Sequence, residues 1–120
     1  MSVKYPGPRF DWRVGQLREL KDNWDDEGAK APQEQRFTEL YALLNYLSEI
    51  HPIKNPAIGV SLEGGIQLMW SGCHISGDID EKEITIYHMP NDEMHVCVFP
   101  NNKDSYKSIA DLVVEKIKFT

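Results

Sequence analysis

Long apolar runs are missing from this chain. None approaches the ~20 residues of a membrane span, and the opening Met1-Ser2-Val3-Lys4-Tyr5-Pro6 has no apolar leader core. The expected compartment is therefore the cytoplasm, with no membrane association. Cysteine is scarce too, and without an export signal Cys73 and Cys97 are expected as free thiols rather than a disulfide. Basic charge is in deficit: 13 Lys and Arg stand against 19 Asp and Glu, a formal net charge of -6. Binding to nucleic acid needs a basic surface that displaces counterions from phosphate, so none is expected, and an acidic domain instead suits a basic protein partner. Internal repeats and low-complexity segments are absent.

Signatures of chemistry are also missing. Gly64-Gly65 is too short for a phosphate loop, and neither Walker spacing nor a dinucleotide fingerprint occurs. Counted as a calcium loop from Asp22, the acidic stretch puts Trp24 third, Glu27 sixth and Gln33 twelfth, where an oxygen ligand, a glycine and a glutamate are required. Cys73-His74 and His95-Val96-Cys97 lack the spacing of a zinc ribbon or finger. Residues 95 and 97 share one face of a strand, but adjacent positions 73 and 74 would point to opposite faces. A Cys97 nucleophile with His95 or His88 as base has suitable residue types, with nothing to fix an oxyanion site. No metal, no cofactor and no catalytic residue is expected.

What is present is enough for one domain over residues 1–120, with 41% hydrophobic and 10% aromatic residues to build a core. Tyr5-Pro6-Gly7-Pro8 reads as turn. Asp11 caps a helix from Trp12 to Lys21 whose stripe is Val14, Leu17 and Leu20. Phe37, Leu40, Tyr41, Leu44, Leu47 and Ser48 predict a second helix, with Pro32 in its first turn and an end before Pro52. After a spacer from Pro52 to Pro56 the period falls to two. Ile58 and Val60 make one strand, Ile66, Leu68 and Trp70 the next, and Glu63-Gly64-Gly65 the hairpin turn between them. Further strands are expected over His74–Ile79, Glu83–His88 and, after a turn at Pro90-Asn91-Asp92-Glu93, Met94–Phe99. Apolar on both faces apart from His95, the last strand is expected to be central or covered. Asp104 or Ser105 caps a third helix of about three turns, carrying Ile109, Leu112, Val113 and Ile117. The fold class is α+β: two N-terminal helices, an antiparallel meander of four to five strands and a C-terminal helix, with the helices mainly on one face.

Between the first two helices lies Asn23-Trp24-Asp25-Asp26-Glu27-Gly28-Ala29, an indole inside a run of acids. Trp24 reads either as a plug packed on the core or as an exposed hot spot, the former being favoured for it and alike for Trp12 and Trp70. The stretch Leu17-x-x-Leu20 through Trp24-Asp25-Asp26-Glu27-Gly28-Ala29 to Pro32, followed by a helix and Gly64-Gly65-Ile66-Gln67-Leu68-Met69-Trp70, resembles a widespread family of small uncharacterised bacterial and phage proteins. That family pattern has a Gly-Trp-Asp-Gly-x-Gly-Ala-like loop and a Gly-Gly-x-x-Leu-x-Trp hairpin, and here Asn23 and Asp26 replace small residues. The resemblance implies this order of elements and a structural unit holding Trp24 and Trp70. It implies no activity.

Two function classes follow. One is a non-enzymatic protein-interaction or regulatory protein, of the kind a phage-related inhibitor or accessory factor would be, acting through an acidic surface. Its candidate contact surface is Trp24, Asp25, Asp26 and Glu27. Mimicry of nucleic acid is one version, with Asp78, Asp80, Glu81, Glu83, Asp92 and Glu93 adding charge. The other is a small metal- or ligand-dependent enzyme gathering His74, His88, His95 or Cys97 with a carboxylate in a pocket. A homodimer through the last strand or an uncovered sheet edge is expected.

Overall fold

The computed structural model describes residues 8–50, 55–90 and 92–118. The expected turn at Tyr5-Pro6-Gly7, the stop at Pro52 with most of its spacer, and Asn91 lie outside the described residues, as does the side chain of Ile117. Helix α1 spans Pro8–Arg18 and α2 spans Glu34–Ile50. Strands β1 to β5 span Ala57–Val60, Ile66–Trp70, Ile75–Ile79, Glu83–His88 and His95–Pro100, and α3 spans Lys103–Lys118. The strands form one antiparallel sheet in the order β1-β2-β3-β4-β5. The expected α+β meander is the observed fold.

Period-two sequence puts alternate residues on one face, and the register stacks the apolar ones. Ile58 faces Leu68, Ile66 faces Ile79, Trp70 faces Ile75, and Ile84 faces Phe99. All three helices cover this face: α1 lies against β1, α2 against β2 and β3, and α3 against β5 and α2. Their stripes, Phe10, Val14 and Leu17, then Phe37, Leu40, Leu43, Leu44 and Leu47, then Ile109, Ala110, Val113 and Val114, complete one hydrophobic core. An Arg18–Glu34 ion pair at 3.0 Å and the Arg18 guanidinium over the Phe37 ring tie α1 to α2.

The structure corrects several sequence expectations. Helix α1 begins at Pro8, a residue whose fixed φ suits a first turn, so Asp11 is no cap; its carboxylate accepts a hydrogen bond from the Tyr41 hydroxyl instead. Pro32 precedes α2 by two residues and is not in its first turn. The cap of α3 is Asn102, whose Oδ1 accepts from the Ser105 amide at 3.1 Å, while Asp104 and Ser105 lie inside the helix. With 16 residues, α3 exceeds four turns. His74 belongs to no strand: it takes φ 56° after a 3-10 turn at Ser71–Cys73. Trp12 is 68% exposed, because it lies about 200° around α1 from the buried Phe10.

The largest correction concerns β5. It is an edge strand and its outer side chains are open, Val96 at 50% and Val98 at 55% exposure. In the sequence its apolar residues on both faces point to a central or covered strand. Helix α3 covers only the inner side, which carries Cys97 and Phe99.

Candidate functional site

The acidic loop between α1 and α2 is closed by its own polar groups. Asp25 Oδ1 accepts from the amides of Glu27 at 3.0 Å and Ala29 at 2.9 Å; these bonds hold its carboxyl below the usual carboxylate range. Asn23 Oδ1 accepts from the Gly28 amide and Asp22 Oδ1 from the Ala31 amide. The half-buried Trp24 donates from Nε1 to the Lys30 carbonyl at 2.8 Å. Positions 23, 26 and 28 all have positive φ, at 67°, 62° and 88°, which explains why small residues suit them and why Asn and Asp are tolerated. The loop is seated on the β1–β2 turn: the Lys30 amide donates to Leu62, and the Gln33 amide to Gly64. Of the four candidate contact residues, Asp26 and Glu27 are exposed, while Trp24 and Asp25 are half-buried and engaged within the loop.

A different surface is open for contact. Among the described residues all helices lie on one face of the sheet, and the other is crossed by two rows of side chains. The first is Ala57, Met69, Ser76, Tyr87 and Val96; the second is Gly59, Gln67, Asp78, Thr85 and Val98. Met69 is 53% exposed, and Met94 and Met89 extend the apolar area beyond the end of the first row. Small residues at 57, 59 and 76 leave a concavity of about 370 Å³ between Gln67, Met69, Asp78 and Tyr87. A second, of about 300 Å³, adjoins it through Met69, Ser76 and Tyr87 and reaches His74, Met89 and Met94.

Asp78 and Tyr87 are the polar centre of this face. They sit diagonally across β3 and β4, and the Tyr87 hydroxyl hydrogen-bonds the Asp78 carboxylate. Burial pushes the Asp78 carboxyl up, the Tyr87 bond opposes this, and the charge of Asp80 adds to it. Burial likewise pushes the Tyr87 phenol up, with Asp78 reinforcing it. A folded pKa above the unfolded one means that ionisation of Asp78 works against folding. Its favourable contribution is complete below the unfolded pKa and is lost as pH rises through the folded value. Asp78→Asn is therefore expected to gain thermal stability relative to wild type as pH rises from about 3 to about 7, the carboxylate titration range. Melting curves across that range check this; a constant difference would contradict it.

The histidines and cysteines converge only in part. His95 and Cys97 share the inner face of β5, as their spacing requires, and His88 pairs with His95 across β4 and β5, ring centroids 6.4 Å apart. Neither nitrogen of His88 has a hydrogen-bond partner among the described residues, and burial, followed by the charges of Lys116, His95 and His74, lowers its pKa. Among the described residues no three of His, Cys, Asp and Glu are grouped as metal ligands, and no helix is long and apolar enough to cross a membrane. Sequence reasoning missed the open face: its signal was Gln67, Met69, Ser76, Thr85 and Tyr87 alternating with buried neighbours, a pattern that does not say which face the helices take.

Comparison with models of protein families, with curated proteins and with solved structures found no match to this chain.

Proposed function

We propose that this is a non-enzymatic interaction protein, an accessory or inhibitory factor, that binds a basic protein segment on the helix-free face of its sheet. The observation that carries the reading is the composition of that face: exposed Met69 lies beside a carboxylate, Asp78, in a groove floored by small residues, and exposed Val96 and Val98 continue the apolar area on β5. Apolar rims with a polar centre suit protein contact. A lysine or arginine meets Asp78 at the centre, where the chain's net charge of -6 favours a cationic partner. The acidic loop is the weaker surface, because Asp25 and the Trp24 indole N–H are engaged inside it.

Affinity capture from the native host with mass spectrometry tests this, using wild type, Met69→Lys with Asp78→Lys, and Asp26→Lys with Glu27→Lys. Expected is a basic partner whose binding falls at least about tenfold in the sheet variant, weakens with salt, and persists in the loop variant. Retention by the sheet variant with loss in the loop variant would move the site to Asp26 and Glu27. Equal capture by all three would remove both surfaces.

A further inference from the structure

We propose that a second copy of this chain docks on the β5 edge, extending the five-stranded sheet into one of ten strands about a two-fold axis at Cys97. Edge strands present unpaired N–H and C=O groups, and proteins blunt them with lysines, bulges, prolines or short length. Strand β5 has six residues in unbroken register with β4, carries no Asp, Glu, Lys or Arg, and has proline only at its last position. The opposite edge, β1, has four residues and is packed against α1.

Symmetry selects the register. In a continuous antiparallel sheet the two-fold axis is perpendicular to the sheet, and residues that face each other must lie on the same side. The axis must then pass between the two copies of one residue; an axis at Cys97 pairs 95–99, whereas one at Val98 would pair 96–100 and take in Pro100, which has no N–H to give. Val96 faces the second copy's Val98 and Val98 its Val96 on the outer side; Cys97 faces Cys97 on the inner side. Beyond the strand ends the pairing turns the segment carrying Asp92 and Glu93 of one copy toward the segment carrying Asn101, Asn102 and Lys103 in the other, so acids approach amides, a lysine and the positive end of α3, with Asp104 of that first turn the one opposing charge. That complementarity favours a second copy over an unrelated strand. It also doubles the open face without covering it.

An edge of this size lies at the small end of protein interfaces, so association is expected in the micromolar range. Sedimentation of the purified chain from about 5 to about 500 µM, spanning that range, should show a monomer giving way to a dimer. Opposed residues have Cβ atoms about 4.5–5.5 Å apart, so a bismaleimide with a two-carbon spacer should link Cys97 to Cys97, as mapped by peptide mass. Val98→Lys, with its fold checked by circular dichroism, should weaken the dimer at least tenfold. A monomer throughout overturns the proposal. So does a dimer whose cross-link joins Cys73 instead of Cys97, or one that Val98→Lys leaves intact. Neither measurement involves a basic partner, and the capture variants lie on β2, on β3 and in the loop before α2, away from β5, so the two readings fail separately.

Discussion

Replacement of Glu39 by alanine is expected to destabilise the protein by about 3–5 kcal/mol. Arg36 and Glu39 lie one turn apart on α2 with Nε 3.0 Å from Oε1, and their side chains are only 7% and 10% exposed. The charges touch, yet Arg36 Nε and Nη1 and Glu39 Oε1 complete no directional hydrogen bond. The nearby phenol of Tyr106, on α3, has its pKa raised by burial, with Glu39 adding and Arg36 opposing, so the pair sits under the α2–α3 contact. Removing the carboxylate leaves a guanidinium out of water with no counter-charge. Replacing both members, Arg36→Met with Glu39→Leu, should restore stability to within about 1 kcal/mol of wild type or exceed it, because two desolvation penalties vanish together. Denaturant titration of the three chains checks this. A loss below about 1 kcal/mol in Glu39→Ala would mean that Arg36 reaches water unaided.

The second large effect is expected at Gly64, where alanine should cost about 2–4 kcal/mol. A Cβ there would stand 2.6 Å from the Ala31 carbonyl oxygen, and φ is +88°. Neither the β1–β2 turn nor the Trp24 loop can retreat: the Gly64 amide donates to the Ser61 carbonyl, and Leu62 and Gly64 accept from Lys30 and Gln33. Gly28 provides the control, with the same φ of +88° and nothing within 4 Å of its added Cβ. Gly28→Ala should lose only the left-handed penalty of about 1–2 kcal/mol. The difference between the two unfolding free energies isolates the close approach of loop to turn. Equal losses would mean that the corner yields.

Both effects lie in places the sequence marks poorly. Arg36 and Glu39 flank Phe37 and Leu40 in α2 and read there as ordinary solvated charges; they are buried because α3, some 65 residues later, closes over that side of the helix. Gly64 is legible as a turn residue. That its missing side chain admits the Ala31 carbonyl is a long-range fact that no local pattern carries.

The sequence by itself determined the elements and the class. Three-four spacing in residues 37–47 and alternation in 66–70 and 83–88 are local consequences of helix and strand geometry, and the turn at 63–65 follows from glycine's freedom at positive φ. Tertiary structure alone decided which face of the sheet is open and where β5 stands. Alternation assigns residues to two faces without saying which one the helices cover, and an apolar strand reads alike at a sheet's centre and at its edge. The acidic loop satisfies its own hydrogen bonds, while Met69, Asp78, Tyr87 and Val98 become one surface only when four strands come into register.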